Sequence, residues 1–154
     1  MDILNNIHMI QVPVPYPLKT VNCYLIDNKG NWSMIDTGAN TEEAKQFWND
    51  VFKKKGIKKG SLTDIYITHI HPDHMGLAGW FQEQHNCKVH MTKSNQERMI
   101  FEWENIIKFA DLLKQKFLQN GCPESLAEKI KEVTIEQQKE VLPLPNDIEE
   151  MKVN

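Results

Sequence analysis

No stretch of the sequence is apolar for long enough to span a bilayer, and no basic segment followed by an apolar run opens it. The expectation is a cytoplasmic protein with no membrane partner. Cysteine is scarce: Cys23, Cys87 and Cys122 are an odd number at wide spacings, without a Cys-x-x-Cys pair. A disulfide framework is therefore excluded, and the three are expected to be reduced and mostly buried. Positive charge is not concentrated either. The net charge is −3, and the single basic cluster, Lys53 to Lys55 with Lys58 and Lys59, reads as the solvated end of a helix. Nucleic acid is accordingly not an expected partner. Histidine is missing from the whole chain after His90. What remains, over 154 residues, is the composition of one ordinary globular domain with a core of its own.

Ligand chemistry is dense in one place, Ile65-Tyr66-Ile67-Thr68-His69-Ile70-His71-Pro72-Asp73-His74-Met75-Gly76. The run 64–68 is short, β-branched and aromatic, so it reads as a buried strand that delivers the chain to a loop at His69. His69 and His71 are two apart, so in extended backbone their side chains leave the same side and can reach one ion. Pro72 keeps His71 extended. Asp73 and His74 are adjacent and diverge, which suits a second ion beside the first. Imidazole with carboxylate and no thiolate favours zinc and allows manganese or iron. A chance His-x-His-x-Asp-His in a chain of this composition has a probability of roughly 5 in 10,000, so the spacing carries information.

Thr68-His69-Ile70-His71-Pro72-Asp73-His74-Met75-Gly76 resembles the signature of the metallo-β-lactamase-fold hydrolases, and Met34-Ile35-Asp36-Thr37-Gly38-Ala39 resembles a second element of that family. The resemblance implies an α/β chain belonging to a four-layer αββα sandwich of two similar halves, with metals at the edge where the two sheets meet. It implies His69, His71, Asp73 and His74 as metal ligands, with two zinc ions per complete site. Asp73 would also orient the water, and Asp36 would support the ligand loop without touching metal. The implied activity is metal-dependent hydrolysis of a small-molecule ester, thioester, lactone or β-lactam-like carbonyl. Family members that reduce oxygen on iron carry Glu where His71 stands, so the resemblance sides with hydrolases. Missing export features weigh against a secreted antibiotic-degrading enzyme.

Along the chain, residues 7–14 read as a strand, and 22–27 and 31–36 flank the hairpin signal Asn28-Lys29-Gly30, giving three antiparallel strands. Asn40 with Glu43 reads as a capping box for a helix carrying Ala44, Phe47, Trp48, Val51 and Phe52 up to Gly56. A helix from about His74 to His85 follows, with Gly76 and Gly79 allowing close approach, and then a strand at 87–91. His8 reads as an ordinary strand residue, and His85 and His90 as surface or capping residues.

From Lys93 two helical patterns appear. Met99, Ile100, Trp103, Ile106, Ile107, Ala110, Leu113 and Phe117 share one face, and a second helix starts around Pro123. Two readings of this hairpin stay open: a layer that buries its own stripe, or a lid over the metal site with Trp103 and Phe109 lining the pocket. The expected organisation is a first αβ half over 1–92, a helical insert over 93–142, and over 143–154 the start of a second half that the chain does not contain. A sheet lacking its partner would expose one face, so self-association through that face or through the insert is expected. His69 with His71, and Asp73 with His74, supply only two donors per ion, so a metal-binding or interaction remnant without turnover is the alternative to an enzyme. An RNA-processing nuclease of the same superfamily is disfavoured by the missing basic stripe.

Overall fold

Lys29 and Gly30, with φ of 59° and 97°, turn the chain between two strands paired from Tyr24 opposite Ile35 to Asn28 opposite Asn31. Positive φ at both central residues matches the twist of the flanking strands, which is why a residue pair containing glycine stands there. In the computed structural model, which describes residues 2–152, these strands belong to a seven-stranded sheet whose spatial order follows the sequence. β1 (Asp2–Leu4), β2 (Ile7–Pro13), β3 (Thr20–Asn28) and β4 (Asn31–Ile35) are antiparallel. β5 (Leu62–Tyr66), β6 (Lys88–Met91) and β7 (Ile148–Glu150) continue in parallel with β4.

Each parallel step needs a crossover, and helices supply it. α1 (Glu42–Lys55) links β4 to β5, while α2 (Pro72–Met75) and α3 (Ala78–His85) link β5 to β6. Beyond β6 come α4 (Lys93–Met99), a π-helical turn (Ile100–Glu104), α5 (Ile106–Gln119) and α6 (Glu124–Glu136). Val12, Cys23, Leu25, Met34, Ile65 and Val89 alternate onto one sheet face and are fully buried in one cluster with Trp48 and Phe81 of α1 and α3. Each such large side chain contributes about 1.5–3 kcal/mol by leaving water. On the other face Tyr24, Ile26, Ile35 and Tyr66 are only half-buried.

Several boundaries differ from expectation. The ligand strand covers 62–66 rather than 64–68, because the Tyr66 carbonyl already accepts from Asp36 N–H, outside the ladder. Thr41, not Asn40, caps α1: its hydroxyl accepts from Ala44 N–H at 3.1 Å, while the Asn40 amide donates to the Leu142 carbonyl instead. The single helix expected from His74 to His85 is two, α2 and α3. Gly76 and Gly79 do sit at close approaches, and these are to the chain leaving the helical insert. A Cβ on Gly76 would lie 2.4 Å from the Glu140 carbonyl oxygen, and one on Gly79 2.0 Å from that of Pro143. The three antiparallel strands expected at the N-terminal side are four. The tail, expected to lead into a second half, lays Ile148–Glu150 along β6 as the seventh strand of this sheet.

Candidate metal centre

Asp36 and the ligand loop meet because β4 and β5 are parallel neighbours, so both chains leave the sheet at its carboxyl edge. At this edge of an open sheet, loops form a crevice. Asp36 has φ of 56°, a left-handed backbone that a non-glycine residue adopts only where its surroundings hold it. The hold is visible. Its carboxylate Oδ1 accepts from Thr68 N–H at 2.9 Å, and Oδ2 accepts from the Thr68 hydroxyl at 2.7 Å. Oδ2 is also 2.8 Å from His74 Nδ1. Thr37 completes the brace, its N–H and hydroxyl both donating to the His74 carbonyl, at 2.7 and 2.9 Å.

With Nδ1 held by Asp36, His74 keeps Nε2 for another partner, and that atom lies 3.4 Å from Asp73 Oδ2. An imidazole nitrogen and a carboxylate oxygen, both donor types that divalent ions take, thus lie side by side. His69 Nδ1 is 3.0 Å from the Thr68 hydroxyl, which leaves its Nε2 available. The His69 ring stands 4.7 Å from that of His71 and 3.9 Å from that of His74, centre to centre. The rings of His69, His71 and His74 thus stand close to one another with Asp73 beside His74, and Asp36 bonds to Thr68 and His74. Imidazole with carboxylate is a donor chemistry that fits a divalent metal. Among the described residues, no group of three or more His, Cys, Asp or Glu side chains is placed to hold one ion. His85 and His90 lie elsewhere: His85 packs on Phe52 and Phe81, and His90 Nε2 is 2.7 Å from Asp64 on the sheet.

The local field separates the histidines. Burial, helped by the neighbouring His74 and His71, lowers the His69 pKa, which favours the neutral ring a metal requires. Burial would lower that of His74 too, but the hydrogen bond and charge of Asp36, with the charge of Asp73, outweigh it and raise the value.

The helical insert is tied to this loop. Trp103, on the π-helical turn, is buried and donates its indole N–H to the Ile70 carbonyl at 2.8 Å, and Gln138 donates to the Trp103 carbonyl at 2.7 Å. Tyr16 donates to the Glu140 carboxylate, and burial together with that carboxylate pushes the phenol well above its usual pKa. Asn95, on α4, donates to the Thr68 carbonyl at 2.9 Å. Thr68, Thr37, Asn95 and Tyr16 were not singled out by sequence reasoning. The first two stood inside the recognised motifs; nothing local marked the others.

The model of the family described as metallo-beta-lactamase superfamily matches residues 16–150. The chain belongs to that superfamily. A metallo-beta-lactamase family protein from Thermus thermophilus is 31% identical and superposes with a TM-score of 0.79, over 97% of this chain and 46% of that one. A beta-lactamase domain protein from Burkholderia ambifaria has the same fold, with 20% identity and a TM-score of 0.72 over 99% of this chain and 44% of that one. A probable metallo-hydrolase of Bacillus subtilis (strain 168) is 28% identical over 119 residues, 75% of this chain and 34% of the relative. The chain thus spans less than half the length of these superfamily members. Among the described residues no helix is long and apolar enough to cross a membrane.

Proposed function

We propose that this chain carries the metal-binding half of a hydrolase that cleaves a small carbonyl substrate, an ester, thioester, lactone or β-lactam-like amide, on two zinc ions. The observation that carries the reading is the pair formed by His74 Nε2 and Asp73 Oδ2, 3.4 Å apart, with Asp36 fixing the opposite ring nitrogen. His69 and His71 would hold the first ion, Asp73 and His74 the second. When bound, such ions supply the Lewis acidity that polarises a carbonyl oxygen and makes water a nucleophile near neutral pH. The chain's own residues do the rest. Asp36 sets the His74 tautomer, Thr68 and Thr37 pin the loop so that its donors need not reorganise, and an Asp73 oxygen orients the attacking water and receives its proton. The proposal places the protein in the cytoplasm, in keeping with free thiols at Cys23, Cys87 and Cys122.

The second reading, a metal-binding or interaction module without turnover, rests on the donor count: two per ion falls short of the three protein ligands a catalytic zinc uses. Self-association belongs to both readings, since Tyr24, Ile26 and Ile35 on the second sheet face are only half-buried and the solved relatives carry more than half their length beyond the aligned part. The test is bound metal per chain by elemental analysis, combined with mass in solution. Near two ions per chain supports the hydrolase, with the remaining donors supplied across a subunit contact. Near zero leaves the remnant.

A further inference from the structure

A cavity of about 330 Å³ opens between the ligand loop and the helical insert. His71 and Asp73 line it together with Tyr16, Trp103, Phe109 and Leu113. The walls are not free to drift. Trp103 is bonded to the loop through the Ile70 carbonyl, and the insert's exit is bonded back to Tyr16 through Glu140. The turn that presents Trp103 is π-helical, a rare geometry that recurs at functional sites because one extra residue re-aims the side chains that follow.

Charge decides what the cavity can accept. Among the described residues no Lys or Arg lines it, whereas Glu102 does, its Oε1 accepting from Arg98 Nε and Nη2, each at 2.8 Å. Away from the metal loop, an anionic arm would meet Glu102 with no Lys or Arg in the wall to receive it. An apolar arm would instead leave water for indole, phenyl and leucyl surface. The volume lies at the lower end of the usual range for ligand sites, roughly 300–1,000 Å³, so the arm is short.

We propose that this cavity is a preformed subsite for a short, uncharged, apolar acyl or aryl arm of the substrate, whose carbonyl then lies at Asp73. The proposal rests on the hydrolase reading and narrows it to carbonyl compounds with an apolar arm, excluding those whose acyl side ends in a carboxylate or phosphate. Phe109 and Leu113 set the length that fits; Trp103 is a positioning residue for the wall.

The test is titration of the isotopically labelled full chain with hexanamide and with adipamic acid, which has the same length but a carboxylate at its tip. The Trp103 indole N–H and the Leu113 methyl resonances are followed. Saturable shifts of both with hexanamide, binding of adipamate at least tenfold weaker, and loss of the shifts in Leu113→Trp are expected. Phe109→Ala, which removes a wall without filling the space, weakens hexanamide several-fold and decides the matter if Leu113→Trp does not fold. Shifts that are missing up to the solubility limit, equal binding of adipamate, or binding indifferent to the variants would overturn the subsite. Metal counted on the same sample separates the two readings. A metal-loaded chain without shifts overturns the subsite alone, and a metal-free chain that shows them overturns the hydrolase reading and leaves an apolar binding cavity without the substrate role.

Discussion

The Asp36 carboxylate Oδ2 lies 2.8 Å from His74 Nδ1, across a gap of 38 residues, and the same carboxylate receives two hydrogen bonds from Thr68. One buried side chain thereby sets the orientation of two imidazoles of the loop: His74 directly and His69 through Thr68.

Asp36→Asn should turn one of the acceptors facing Thr68 and His74 into a donor and release the His74 tautomer. Metal affinity is expected to fall roughly 10- to 100-fold, the usual effect of losing such a partner. Competition with a chelator indicator measures it, and an unchanged affinity would show that Asp36 serves only the backbone.

His69→Ala and Asp73→Ala each remove one of the two donors that the proposed reading assigns to an ion. Both should lower the metal bound by the chain and abolish the proposed metal-dependent hydrolysis. Turnover that survives either change would sink the assignment of the loop.

Gly79→Ala places a methyl 2.0 Å from the Pro143 carbonyl oxygen, a backbone atom that cannot swing aside. Overpacking of this kind costs about 1–3 kcal/mol. A lower Tm is expected, whereas Gly60→Ala, where the added carbon meets no neighbour but the backbone φ is 82°, tests the separate cost of a left-handed conformation.

Acid should weaken the fold through His85. Its ring packs on Phe52 and Phe81, its Nδ1 is buried without a hydrogen-bond partner, and burial, with Lys59 nearby, lowers its pKa below 6.5. The unfolded chain therefore takes up this proton first as pH falls. The contribution to stability is complete above pH 6.5 and is lost as pH drops from there through the lower folded value. His74, with its raised pKa, acts in the opposite sense, so the comparison is between wild type and His85→Phe. A Tm difference that changes between pH 7.5 and 5.5 is expected; parallel curves would refute it.

The sheet face bearing Tyr24, Ile26 and Ile35 should mediate association with a second copy. Sedimentation at rising concentration is expected to show dimers, and Ile26→Lys to return the chain to monomer. A wild type that stays monomeric throughout excludes this role for the face.

Local chemistry made much of this legible beforehand. The strand leading into three imidazoles and a carboxylate, the Lys29-Gly30 turn, and the apolar stripe of α1 are patterns of neighbours in sequence, and all three stand in the structure. Boundaries were less so. Asn40 and Thr41 are both competent caps, and only the distant Leu142 carbonyl, which takes the Asn40 amide, leaves the task to Thr41.

The nearness of His69, His71, Asp73 and His74 was set by order of residues alone, since they are covalently confined to one loop. How the helical insert stands to that loop was not. A self-packed layer and a lid share the same apolar periodicity, and the choice lies in contacts such as Trp103 to Ile70 and Tyr16 to Glu140, between residues 33 and 124 positions apart. The left-handed backbone of Asp36 and the pairing of Ile148–Glu150 with β6 likewise arise only in the folded chain. Periodicity records which side of an element is buried; which partner buries it is fixed only when the chain closes on itself.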